Sequence, residues 1–300
     1  MVGLAERIHE VLAEGRGRVA SRYVSGKALG GDAEFAVDEL AEAATREYLE
    51  DQGASVGLYT ESDGLSIVGA DPEPPYVLIV DPIDGTRAAA ADLEMACISI
   101  AAAPLTAAPT IGDIEHAILK EVKSGAWMYA DDSSDGVEAE GFGTALPALS
   151  PAAELERMFW SLEFNGHPSR LMVDAYGHLI DASANRGAVY VFNSASFSIS
   201  RIISGQMDAY VDIGNRLLRD RPELEGDFRR VGHGSILHLF PYDIAASVYL
   251  AKRAGVTITD AYGASLDDTL LLDIEPLNQR SCIAASTPQL HAKLLEAIRW

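Results

Sequence analysis

Two aspartates stand three positions apart where an apolar run stops: Tyr76–Val80 leads into Asp81, Pro82, Ile83, Asp84, Gly85 and Thr86. A strand that ends in carboxylates puts them at the rim of a sheet, where α/β proteins bind ligands. Pro82 keeps the chain extended as it leaves the strand, and the D-x-x-D spacing lets Asp81 and Asp84 converge from a tight turn. Adjacent carboxylates repel unless a cation or a proton lies between them. Such hard oxygen ligands suit Mg²⁺, Mn²⁺ or Ca²⁺. Gly85 lets backbone approach a ligand, and Thr86 caps the next turn with its hydroxyl on the metal side. Amides that open a helical turn there suit a phosphate. An Asx-turn followed by a helix cap accounts for the same residues, and they alone do not choose between the two.

The elements that must position these groups read as follows. Residues 2–14 and about 33–52 carry apolar positions at helical spacing, with the glycine-bearing loop "SGKALGGD" between them. "VGLYTES", "YVLIVD", "MACISIAAA", "HAILKEV" and "GAWMYAD" read as strands, with a hairpin turn at 123–125. Residues 144–153, with two prolines, divide the chain into halves 1–150 and 151–300. The second half alternates strand and helix, from "MFWSLEF" to a last helix that has Thr287 as N-cap and Pro288 at its first position. Alternation of this kind implies a layered α/β architecture. Residues 214–241, rich in charge, glycine and proline, read as a long insertion with a short helix near 222–230.

Composition narrows the partners. Across 300 residues the net charge is −22, so a phosphate polymer or an anionic membrane would be repelled. Cys97 and Cys282 both lie in apolar stretches and read as buried thiols, with no disulfide framework or zinc knuckle. The first residues lack the pattern of a signal peptide, and no apolar run approaches the ~20 residues of a membrane span. The expectation is a soluble, cytoplasmic protein.

"DPIDGT" resembles the signature of the inositol monophosphatase superfamily, which includes fructose-1,6-bisphosphatases and 3′-phosphonucleotide phosphatases. Other segments are similar to that family in the same order. "YTES" places Glu61 twenty residues before Asp81, "NSASFSISRIISGQMDAYVD" resembles the family's G-S-A-A helix and next strand, and "PYDIAASVYLAKRAGVTITDAYG" its C-terminal motif with Asp243. "KALGGDAEFAVDELAE" resembles the N-terminal segment, with Asp38 at the position that contacts the motif threonine. The resemblance implies an α/β/α/β/α sandwich, a homodimer, and a small phosphate ester of inositol or a sugar as substrate. It also implies two to three Mg²⁺ ions, replaceable by Mn²⁺, and inhibition by Li⁺. Glu61, Asp81 and the carbonyl of Ile83 would hold one ion; Asp81, Asp84 and Asp243 a second; Glu61 and waters a third. Glu61 and Thr86, with Asp38 behind, would orient the attacking water, and no phosphoenzyme would form. The amides of Gly85 and Thr86 would grip the phosphate.

Taken singly these residues are ordinary. Asp243 after Pro241 is a natural helix cap, Glu61 a solvated loop residue and Asp38 a surface helix residue. His233 and His238, five apart, fit no pair on one helix face and read as loop histidines. By resemblance Asp212 lies near a position that binds substrate hydroxyls, and Asn193 and Ser194 line the pocket, although a cap explains Ser194 equally well. The chain departs from the family at Ser62, where a second acid is common, at Phe35, at Tyr242, and at Arg87-Ala88-Ala89 after the motif. Arg87 reaches a second anionic group or is a solvated charge; the sequence leaves both open. The competing functions are a fructose-1,6-bisphosphatase-like activity, a 3′-phosphonucleotide phosphatase, and a silent metal-binding regulatory subunit.

Overall fold

The computed structural model describes residues 1–19 and 22–300. In chain order, helix α1 (Val2–Val19) precedes a hairpin of β1 (Val24–Lys27) and β2 (Ala33–Phe35), and then α2 (Ala36–Asp51). Strands β3 (Val56–Thr60), β4 (Gly64–Val68) and β5 (Tyr76–Asp84) lead to the short helix α3 (Thr86–Ala90). Strands β6 (Cys97–Pro104), β7 (His116–Glu121), β8 (Trp127–Asp131) and β9 (Glu138–Glu140) complete a seven-stranded sheet of order β4-β3-β5-β6-β7-β8-β9. Its pairings are antiparallel except for β3 with β5.

The second half runs β10 (Phe159–Leu162), α4 (Ser169–Ser183), β11 (Ala188–Tyr190), α5 (Ala195–Ile203), β12 (Ala209–Asp212), α6 (Gly214–Asp220) and α7 (Glu225–Val231). It ends with α8 (Pro241–Ala254), β13 (Thr257–Thr259), β14 (Cys282–Ala285) and α9 (Pro288–Ala297). The five-stranded sheet has the order β11-β10-β12-β14-β13. Strand β10 is parallel to both neighbours, and β14 is antiparallel to both of its own.

Alternation along the strands assigns the layers. In β5 and β6, Leu78, Val80, Ile98 and Ile100 join the core under α1 and α2. Val77, Ile79, Ala101 and Ala103 face the other way, into a core shared with α5 and α8. A third core lies between the five-stranded sheet and α4 and α9. The order is helix, sheet, helix, sheet, helix. Helices α5 and α8 form the middle layer between the sheets, so the middle layer is where segments from both halves meet. Alanines in β6 keep that layer thin: Ala101 and Ala103 are fully buried.

Several local expectations change. The helix expected over 33–52 begins at Ala36, because Ala33–Phe35 pairs with Val24–Lys27. "SGKALGGD" is therefore largely a hairpin, whose three- and four-residue strands are too short to show a period. Strand β5 does not stop at Asp81. It runs to Asp84 with a shift of register between the two aspartates, so a bulge rather than a tight turn brings them together. The stretch 214–241 holds two helices, not one.

Candidate active site

The bulge at the end of β5 sets the site. Asp81 and Asp84 are buried, at 4% and 8% exposure. Asp81 Oδ1 accepts the amide of Ile83 at 3.0 Å. Asp84 Oδ2 accepts the amide of Ser196, in the first turn of α5, at 2.5 Å. Asp243 comes from the first turn of α8, where its Oδ2 accepts the amide of Phe240 at 2.7 Å. Asp243 is thus the third helical residue reaching back to the amide of the capping residue, and that bond fixes its carboxylate at the rim of the same cleft. Glu61 follows β3, which lies beside β5 with Thr60 opposite Val80.

One cleft is lined by Glu61, Asp81, Ile83, Asp84 and Asp243. Gly85, Thr86, Arg87, Asn193, Ser194 and Asp212 line it as well. Asp38 lies behind, in a smaller recess that also touches Glu61 and Asp81. Thr86 Oγ1 is 3.0 Å from the carbonyl of Ile83 and also bonds to the Asp38 carboxyl. Its single proton serves one of them at a time. Ser194 caps α5 by accepting the amide of Phe197 at 3.1 Å, and its hydroxyl donates to the carbonyl of Asp84 at 3.2 Å. Gly85 is required twice over: its φ is +99°, and a Cβ there would sit 2.4 Å from the carbonyl oxygen of Met95.

The electrostatics are those of acids crowded out of water. Burial, then the charges of Asp84, Glu61 and Asp243, hold Asp81 well above the usual carboxylate range. Asp243 is raised in the same way, by burial and then by Glu61 and Asp84. Glu61 is pushed up to about 8 by burial and then by Asp32, Asp38 and Glu42. Burial raises Asp84 to about 6, against hydrogen bonds from Ser196 and Ser194 that hold it down. Asp38 rises to about 7 by burial, opposed by its bonds to Phe35 and Thr86.

Among the described residues, no three carboxylates, imidazoles or thiols converge closely enough to enclose an ion as the side chains stand. The donor chemistry nonetheless fits a hard divalent cation. Buried carboxylates that raise one another this strongly are relieved by a proton or a cation, and the set is all oxygen.

Comparisons with known proteins give the family. The sequence profile described as the inositol monophosphatase family matches residues 1–299. The chain belongs to the inositol monophosphatase family. It is a phosphatase, a phosphoric monoester hydrolase. A fructose-1,6-bisphosphatase/inositol-1-monophosphatase of Methanothermobacter thermautotrophicus is 25% identical over 268 residues, covering 87% of this chain and 82% of the relative. A protein of the same description from Archaeoglobus fulgidus is 26% identical, covering 88% and 83%. The Thermotoga maritima IMPase structure superposes with a TM-score of 0.67 at 19% identity, covering 99% of this chain and 94% of that one. These likenesses establish the inositol monophosphatase fold, the expected layered α/β/α/β/α sandwich.

Within this inositol monophosphatase fold, four features escaped the sequence. Asp32, at the tip of the β1–β2 hairpin, binds Arg87 at 2.6 Å and 3.2 Å. Arg87 is therefore ion-paired at the mouth of the cleft rather than a lone charge. Glu163, Asn165 and His167, just past β10, line the cleft. His238 is a loop histidine, as expected, but a buried one: it is 6% exposed and its Nδ1 lies 3.4 Å from His167 Nε2. Glu42 and Glu34 flank Ser62 and accept hydrogen bonds from its amide and hydroxyl, so carboxylates surround the position where the family's second acid is absent. Only Glu163 left a readable signal, a charge inside the apolar run "MFWSLEF" at the end of a strand. Among the described residues, no helix is long and apolar enough to cross a membrane.

Proposed function

We propose that this phosphatase is a Mg²⁺-dependent enzyme that hydrolyses a small inositol or sugar phosphate. The observation that carries the reading is the convergence of Glu61, Asp81, Asp84 and Asp243, from three separate segments, on one cleft beside Thr86. Glu61, Asp81, Asp84, Asp243 and the carbonyl of Ile83 are the groups that would hold the ions. Bound divalent cations supply neutralisation of the phosphoryl oxygens and acidification of water.

The chain's own residues do the rest. Asp38 accepts a hydrogen bond from the Thr86 hydroxyl, which leaves the Thr86 oxygen free to accept a hydrogen bond from the attacking water. Glu61, ionised when a bound cation displaces its own proton, would receive the proton that the water loses. The amides of Gly85 and Thr86, opening α3, orient the phosphate for in-line attack. No side chain in this arrangement serves as a nucleophile, so no phosphoenzyme is part of the reading. The site draws on both halves, 1–150 and 151–300, which therefore act as one catalytic unit. The same reading carries Mn²⁺ substitution, Li⁺ inhibition, a homodimer and a cytoplasmic location, supported by the family.

Phosphate release from an inositol monophosphate with Mg²⁺ tests it. The wild type should turn over, and Asp84→Asn should lose at least ~10³-fold in kcat while keeping its far-UV spectrum. A folded wild type that released phosphate from no member of a broad ester panel would establish the silent-subunit reading instead.

A further inference from the structure

Strands β10 and β12 are parallel neighbours, with Leu162 opposite Val211. The next residue of each is an acid, so Glu163 and Asp212 stand side by side where the two strands end. Both are buried, at 7% and 1% exposure, and both line the cleft. Each is fixed through one oxygen. Glu163 Oε1 accepts the amides of Phe164 at 2.9 Å and Asn165 at 2.7 Å. Asp212 Oδ1 accepts the amide of Gly214 at 3.1 Å. Among the described residues no protein donor reaches the second oxygen of either.

Two further groups on the same wall lack partners. Asn193 Oδ1 and His238 Nε2 are buried and make no hydrogen bond. An unmet buried polar atom costs ~1–3 kcal/mol unless a ligand or water meets it. Asn193 is also held at φ +54°, an unusual backbone state for a residue with a side chain. The histidine pair brings no positive charge, since burial lowers the pKa of both rings.

Among the described residues, Arg87 is the only lysine or arginine lining the cleft. Both guanidinium nitrogens that make bonds are engaged by Asp32, which also accepts the Asn165 amide group at 3.2 Å. The wall thus offers acceptors and no free cation.

We infer that Glu163, with Asn193 and His238, determines specificity by accepting hydrogen bonds from hydroxyls of the leaving alcohol, and that the Asp32–Arg87 pair together with Glu163 and Asp212 disfavours an ester carrying a second phosphate. The inference rests on the phosphomonoesterase reading above. It selects, within that reading, the monophosphate of a neutral polyol over a bisphosphate.

Steady-state kinetics on the full-length Mg²⁺-loaded enzyme test it, with a cyclitol monophosphate, its analogue lacking the ring hydroxyls, and fructose 1,6-bisphosphate. Wild type should favour the cyclitol ester over the bisphosphate by at least ~10-fold in kcat/KM, and removal of the hydroxyls should cost a similar factor. Glu163→Gln should cut the preference ~10-fold, mainly through KM for the cyclitol ester, and should blunt the penalty for lost hydroxyls. Asp32→Asn, at the hairpin tip, should raise kcat/KM for the bisphosphate by releasing Arg87. This second variant decides the matter if Glu163→Gln does not fold. Equal use of bisphosphate and monophosphate by wild type, or a preference unmoved in a folded variant, would overturn the inference and leave the phosphatase reading standing. Failure on every ester would instead remove that reading.

Discussion

At the residue scale, the chemistry depends on side chains held in places that are costly for them. Gly85 shows the backbone side of this. An alanine there would need both a positive φ and room that the carbonyl of Met95 occupies. Gly85→Ala should destabilise the fold by more than ~2 kcal/mol, read as a lower urea midpoint at unchanged slope. An unchanged midpoint would contradict the close approach. Glu163 shows the electrostatic side. Burial raises it to about 7, opposed by its amide bonds and aided by Asp212. A raised carboxyl binds its proton more tightly in the native state than in the unfolded chain. Its effect is absent below the unfolded pKa, near 4.5. As pH rises from there to about 7 the unfolded chain ionises first and stability falls. Glu163→Gln should match wild type in thermal melting at pH 4 and exceed it at pH 8, by up to ~3 kcal/mol. Equal melting curves at pH 8 would show that the carboxyl is not held up.

At the element scale, helix starts do the aiming. Ser194 caps α5 and ties its start to the carbonyl of Asp84. Ser194→Ala should cost ~1 kcal/mol of stability, as lost caps do, and should lower kcat because the amide of Ser196 no longer fixes Asp84 in place. Calorimetry and turnover on the same sample separate the two effects; normal kcat beside lower stability would confine Ser194 to capping. This scale also shows what could be read in the sequence. "DPIDGT" was legible from the apolar strand that ends in it, whereas Glu61 and Asp243 stood out only through the ordered resemblance to the family, because singly they read as a loop residue and a helix cap. The main strands and helices were legible because their periods are long. The hairpin β1–β2 was not, because its strands are three and four residues long. His238 and Asp32 were not legible either. Their settings come from partners far away in the chain, His167 and Arg87, and no local pattern encodes a contact between segments 71 or 55 residues apart.

At the scale of the whole molecule, the middle layer gathers acids that no single segment would bring together, and their repulsion is a stored liability. Asp84 is raised to about 6 and Glu61 to about 8, each by burial first. Without a cation, the native state therefore holds more protons than the unfolded chain from about pH 4 to about pH 8, and stability declines as pH rises through that window. A divalent cation competes with those protons, so it should bind better, and stabilise more, at the upper end. At a free Mg²⁺ concentration 100 times its dissociation constant, binding adds ~2.7 kcal/mol. With an unfolding entropy of ~2.1 cal/mol/K per residue, 300 residues turn that into a rise of about 4 °C in Tm. The chelated protein should melt lower at pH 8 than at pH 5, and Mg²⁺ should recover more at pH 8 than at pH 5. Asp243→Asn removes one of the repelling charges together with one ligand. It should raise the melting temperature of the chelated protein at pH 8 and reduce the gain from Mg²⁺. Stabilisation by Mg²⁺ that was equal at both pH values, or absent at millimolar concentration, would mean that protons and not cations hold these carboxylates together.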